Sequence, residues 1–136
     1  MKLVVIDGQG GQLGSQLIKA LNANFNGLNI TAVGTNATAS AAMLRAGADA
    51  GATGESAIRY QCKTADVIVG VAGILHANAM LGEISPGIAA AVSLSEAQKV
   101  LVPLERCGLA IAGVGRQPLD ALIRQAAELA AQFCEQ

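Results

Sequence analysis

Apolar and polar positions along the chain switch repeatedly between a strand-like and a helix-like period. Leu3-Val4-Val5-Ile6 is an unbroken apolar run stopped by Asp7-Gly8, the pattern of a strand buried on both faces. Leu13, Leu17, Ile18 and Leu21 then recur at helical spacing until Asn26-Gly27 stops them. Residues 29–33 alternate and predict a second strand. After the Gly34-Thr35-Asn36 turn, an Ala-rich helix is expected over residues 38–46, with Gly47 as its stop. The small residues from Gly47 to Gly54 allow a short third strand. Thr53 or Ser56 is placed to cap a helix running to about Lys63. Residues 67–71 form an apolar central strand. Ser85-Pro86 sets a capping side chain before a proline at the first helical turn. Ile88, Ala89 and Val92 supply that helix's apolar positions. Residues 100–104 and 109–112 predict two more strands. Pro118 opens the last helix, with Leu119, Leu122, Ile123, Ala126, Ala130 and Phe133 along one side and Asp120, Arg124 and Glu128 opposite.

Strands alternating with helices predict an α/β fold: a Rossmann-like three-layer sandwich with a mostly parallel sheet covered on both faces. One connection differs. Only Glu105, Arg106, Cys107 and Gly108 separate the last two strands, whereas a parallel crossover needs about a dozen residues. Residues 109–112 are therefore expected as an antiparallel edge strand. The expected order is 2-1-4-5-6, with residues 47–54 as a possible third strand. A length of 136 residues without linker or repeat predicts one domain, residues 1–136.

Composition narrows the function classes. Apolar residues make up 52% of the chain, and charged residues only 14%, against about 25% in an ordinary soluble domain. Such a chain is not disordered. The net charge is −1, and Phe25, Tyr60 and Phe133 are the only aromatics. Neither an electrostatic footprint nor a stacking platform for nucleic acid is present. Three scattered cysteines and one histidine make no usual zinc set, so no metal site is expected, and reduced thiols fit the cytoplasm. The apolar run at the N-terminus is too short for a signal core, and the longest one, residues 67–75, is half a membrane span. So little surface charge predicts a homo-oligomer, a dimer as first guess.

Chemistry concentrates in three places. Asp7-Gly8-Gln9-Gly10-Gly11-Gln12-Leu13-Gly14 joins the first strand to the first helix. A sharp turn, close approach of a ligand and tight helix–strand packing each favour glycine there, and the free amides of the helix start face an anion. A tight turn without ligand is the plainer alternative. At the end of the second strand Thr35, Asn36, Thr38 and Ser40 offer hydroxyls, an amide and a helix start, with Arg45 near by; plain helix capping explains them equally. No acidic residue stands there for ribose hydroxyls, which leans toward a 2′-phosphate and hence NADP, or toward another phosphorylated ligand. After the fourth strand come His76, Asn78, Glu83 and Ser85. In an open α/β sheet this loop should face the glycine loop where the strand order reverses. His76 and Glu83 are then candidate acid–base groups and Asn78 a ligand-orienting amide. The plainer roles are a loop histidine, a helix-dipole partner and, for Ser85, a cap. Asp49, Thr53 and Glu55 form a further polar turn, within reach of an adenine or ribose or serving as a cap. Arg106, flanked by Glu105 and Cys107, could hold an anionic group or mark a charged hairpin tip.

The spacing Gly8-x-x-Gly11-x-x-Gly14, with its Gln12-Leu13-Gly14 ending, resembles the fingerprint of extended and atypical short-chain dehydrogenases. Ala65-Asp66-Val67-Ile68-Val69 through Gly73 is similar to that superfamily's fourth strand, beside the cofactor. The resemblance implies NAD or NADP on residues 8–14 and near Gly73. It does not extend to catalysis: that chemistry needs Tyr and Lys four apart, and Tyr60 stands three before Lys63 in the wrong element. Nearly end to end, the chain resembles a bacterial family of small Rossmann-like proteins known as a domain of unknown function. That likeness rests on the Asp7 to Gly11 start, Ala32-Val33-Gly34-Thr35-Asn36, Ala46 to Glu55 and Asn78 to Pro86. Together these readings predict a module that binds a nucleotide, NADP- or NAD-like, without redox chemistry of its own. The alternatives are a small enzyme using His76 and Glu83 on a phosphorylated ligand, and a structural homo-oligomer with no ligand.

Overall fold

The computed structural model describes residues 1–104 and 109–135. Strands and helices alternate as β1 (Lys2–Asp7), α1 (Gln12–Asn24), β2 (Asn29–Gly34), α2 (Ala37–Arg45), β3 (Ala50–Thr53), α3 (Glu55–Thr64), β4 (Val67–Val71), α4 (Pro86–Leu94), β5 (Gln98–Val102) and α5 (Leu119–Cys134). The five strands form one sheet in the order β3-β2-β1-β4-β5, every pair parallel. Helix α1 packs on α2 and α5, while α3 packs on α4, which gives the three layers. Leu3, Val4, Val5 and Ile6 of β1 and Val67, Ile68 and Val69 of β4 are wholly buried between them. That is why these strands read as continuous apolar runs rather than alternating ones.

Several local signals act as their chemistry predicts. Asn36 caps α2, its side-chain oxygen accepting from the Ala39 amide at 2.9 Å. Gly47, at φ 118°, ends that helix: its amide donates to the Leu44 carbonyl and that of Ala48 to the Met43 carbonyl, a Schellman stop. Ser85 caps α4 with Pro86 in the first turn. Residues 50–53 do form a strand, registered on β2 from Thr31 to Gly34.

Two expectations are corrected. Residues 109–112 are not a strand, so the sheet has no antiparallel edge among the described residues and β5 is its last strand. The short apolar run there is used differently, with Leu109 lining a cleft and a turn following at Ala112-Gly113. A run of that length cannot distinguish a strand from a wall. Neither Thr53 nor Ser56 caps α3, whose N-terminal flank is Gly54 at φ 99°. The Thr53 hydroxyl instead pairs with Ser40 Oγ at 2.7 Å, tying β3 to α2. Glu105, Arg106 and Cys107 lie outside the described residues. No helix among the described residues is long and apolar enough to cross a membrane.

Gly11 and Gly10 are adjacent and should differ sharply in tolerance. Gly11 has φ 71°, and a Cβ there would lie 2.7 Å from the Ala39 carbonyl oxygen, whereas a Cβ on Gly10 meets nothing within 4 Å. We expect Gly11→Ala to lose about 2–3 kcal/mol and Gly10→Ala to be neutral or stabilising by up to about 1 kcal/mol, read by urea unfolding.

Candidate functional site

The strand order reverses between β1 and β4, and the loops leaving their carboxyl ends meet there. Asp7 closes β1 and is only 6% exposed. Its Oδ1 accepts from the Gly8 amide and its Oδ2 from the Gly14 amide, both at 2.8 Å. One carboxylate thus holds both ends of the glycine loop. Burial pushes the Asp7 pKa up, the two amides work against that shift, and the nearby charge of Glu83 adds to it. Gly14 has no room for a side chain, since a Cβ would sit 2.6 Å from the Met43 sulfur and 2.9 Å from Asp7 Cβ.

The loop after β4 supplies the second wall. Ala72–Leu75 is a short 3-10 turn, and residues 76–84 then fold on themselves. Asn78, Met80 and Leu81 adopt left-handed backbone at φ 68°, 56° and 56°, uncommon for Met and Leu. From this loop Glu83 reaches across the molecule. Its Oε1 accepts from the Gln9 amide at 2.8 Å, from Thr35 Oγ1 at 2.6 Å and from Asn36 Nδ2 at 2.9 Å. Asn36 Nδ2 also donates to the Gln9 carbonyl at 3.0 Å. Glu83 and Asn36 therefore grip both backbone polar groups of Gln9 in the glycine loop. The Thr35 hydroxyl is the main cause holding the Glu83 pKa below the usual carboxylate range, helped by the Gln9 amide and Asn36. Burial opposes that shift. No acidic residue belongs to the end of β2, but an ionised one arrives there from the β4–α4 loop.

Between the two walls lies a cleft of about 480 Å³. Gly8, Gln9, Gly10, Gly11, Gln12, Leu13, Gly73 and His76 all line it. Of the amides from Gly8 to Gly14, those of Gly8, Gln9, Gly11 and Gly14 are bonded within the chain. Those of Gly10, Gln12 and Leu13 have no acceptor among the described residues. Thr35 and Asn36 do not line the cleft and spend their side chains on Glu83 and the α2 cap. The sequence argument for a 2′-phosphate at that position loses its basis, because the ionised Glu83 would repel one. Asn78 is an exposed turn residue whose amide bonds the Ile84 carbonyl at 2.7 Å, and Gly14 lies beneath the loop. His76 and Glu83 share no hydrogen bond, and Glu83 Oε1 is committed to Gln9, Thr35 and Asn36. Ser85 and Glu55 pair with each other, and Glu55 binds Arg59 at 2.7 Å, outside the cleft. The apolar wall formed by Met80, Leu81, Leu104, Leu109 and Leu119, and Gln16 one helical turn after Gln12, were missed from sequence. The Gln12–Gln16 spacing on α1 was the available signal for the latter. No group of three or more His, Cys, Asp or Glu among the described residues is placed to hold a metal ion.

A family model described as Domain of unknown function (DUF3842) matches residues 2–135. The chain belongs to that family. None of the curated proteins matches it in sequence. A solved structure similar in fold is a dodecameric FMN-dependent Ubix-like decarboxylase from Escherichia coli O157:H7. It is 17% identical, with a TM-score of 0.50 over 100% of this chain and 96% of that one. At that identity the likeness shows the fold, Rossmann-like and three-layered, and nothing of activity.

Glu83 gives the site a pH signature. Its folded pKa lies below the free value of 4.5, so its contribution is complete above about pH 4.5 and is lost as pH falls through the folded pKa. Asp7, with its pKa raised, works the other way: its burial penalty is relieved as pH falls. Glu83→Gln should therefore cost about 1–2 kcal/mol at neutral pH, with the gap to the parent closing in acid, in unfolding curves at pH 7 and pH 3.

Proposed function

We propose that the protein binds a phosphorylated nucleotide-type ligand in the cleft at the β1–β4 reversal and carries or senses it without redox chemistry of its own. The observation that supports this reading is the set of amides at Gly10, Gln12 and Leu13 that have no partner among the described residues, at the start of a 13-residue helix and on the cleft. Such amides, with the positive end of the helix dipole behind them, suit a phosphate. The leucines and Met80 opposite suit the flat, apolar part of a base or ring. Gln9, Gln12 and Gln16 also line the cleft, and a side-chain amide suits the polar edge of such a ring. The cleft volume falls within the range that small-molecule sites occupy, about 300–1,000 Å³. FMN is a natural first probe, because the similar solved structure is of an FMN-dependent enzyme. Self-association belongs to the same reading. Helix α4 is apolar along most of its length, and its Leu94 is 81% exposed. Native mass spectrometry of gently purified protein would report copy number and a retained ligand together.

The decisive variant is Gly10→Asp. Gly10 has open space around it, so the fold should stand while a carboxylate is set beside the free amides. We expect unchanged melting of the unliganded protein and at least tenfold weaker binding of the best mononucleotide probe, a loss of about 1.4 kcal/mol, by isothermal titration calorimetry. Undiminished binding would place the phosphate elsewhere.

A further inference from the structure

Resting on the nucleotide reading, we infer that the segment from His76 to Glu83 makes this a mononucleotide site and closes it to dinucleotides. In an open parallel sheet a dinucleotide lies across the point of strand reversal, with one ribose at the carboxyl end of the second strand. Here that end is covered. Glu83 Oε1 bonds the Thr35 and Asn36 side chains at the end of β2, which the ribose would need. Met80 rests directly on Gly8: a Cβ on Gly8 would lie 2.8 Å from the Met80 sulfur, 2.8 Å from Thr35 Oγ1 and 3.1 Å from Glu83 Oε1. The cleft runs the other way, from the glycine loop past Val71 and His76 toward Leu104, Leu109 and Leu119. A phosphate at the start of α1 with one nucleoside along that course suits a cleft of about 480 Å³.

The cover is a built wall. Ala79 within it and Ile84 just after it are both buried and anchor it to the core. Amides of Asn78, Ala79, Gly82, Glu83 and Ile84 are all bonded to carbonyls within residues 76–84. The left-handed backbone at Met80 and Leu81 points to a conformation held by its surroundings rather than by local preference. Glu83 then bolts the wall to the glycine loop through the Gln9 amide at 2.8 Å. The wall therefore acts as the specificity-determining element, with Met80 and Glu83 its working side chains.

The test is isothermal titration calorimetry of the full chain with FMN and AMP as mononucleotides and NAD and NADP as dinucleotides. We expect the better mononucleotide to bind about tenfold or more tightly than either dinucleotide. In Met80→Ala and Glu83→Ala, each checked for folding by circular dichroism, that preference should shrink by about threefold or more as the β2 end is uncovered. Met80→Ala serves where Glu83→Ala does not fold. Equal affinity for the two classes in the parent protein, or an unchanged preference in the folded variants, overturns this inference and leaves the nucleotide reading intact. Binding of none of the four probes overturns both.

Discussion

The carboxylate of Asp7 accepts the amides of Gly8 and Gly14, and it does so almost out of contact with water. A buried charge survives only where hydrogen bonds replace its hydration. These two bonds therefore fix Asp7 and, with it, the path of the chain between them. Gly14 is drawn against Asp7 and Met43 until no side chain fits, which seats the first turn of α1 on the end of β1. With Gly14 bonded beneath, the Gln12 and Leu13 amides are left at the open end of the helix. The placing of those amides at the mouth of the cleft is thus a by-product of how the loop's far end is tied down.

A second carboxylate completes the arrangement from the side. Glu83 bonds the one non-glycine loop residue, Gln9, that itself takes a left-handed backbone, at φ 48°. The segment that delivers Glu83 holds three more such residues, and each strained conformation costs on the order of 1–3 kcal/mol. Hydrogen bonds to an ionised group, each contributing about 1.5–3 kcal/mol, are of the size needed to offset that strain. Site geometry and local strain are two sides of the same set of contacts.

Much of the framework was legible because local signals and tertiary burial agree. The runs at residues 3–6 and 67–71, the Asn36 and Ser85 caps, the Gly47 stop and the Pro118 start all lie where the pattern places them. Residues 109–112 misled because this apolar run joins no sheet and is left largely exposed, with Leu109 on the cleft. Thr53 misled because a hydroxyl placed for a cap found a partner on α2 instead. At the site, the glycine loop and its meeting with the β4–α4 loop followed from topology. The roles of Thr35, Asn36 and Glu83 did not, since each is defined by a side chain 47 or 48 residues away. No periodicity records such a pairing.

The bond between Gln9 and Glu83 closes a stretch of 74 residues. Closing so long a loop carries an entropy cost that the contact alone does not recover, so it becomes favourable only after β1, β2 and β4 have already brought the ends together. Emerging from the ribosome, the glycine loop and the β2 end exist well before the wall that covers them. On this ground the bridging contacts of Glu83 belong to the last steps of assembly, after the sheet that carries their two ends.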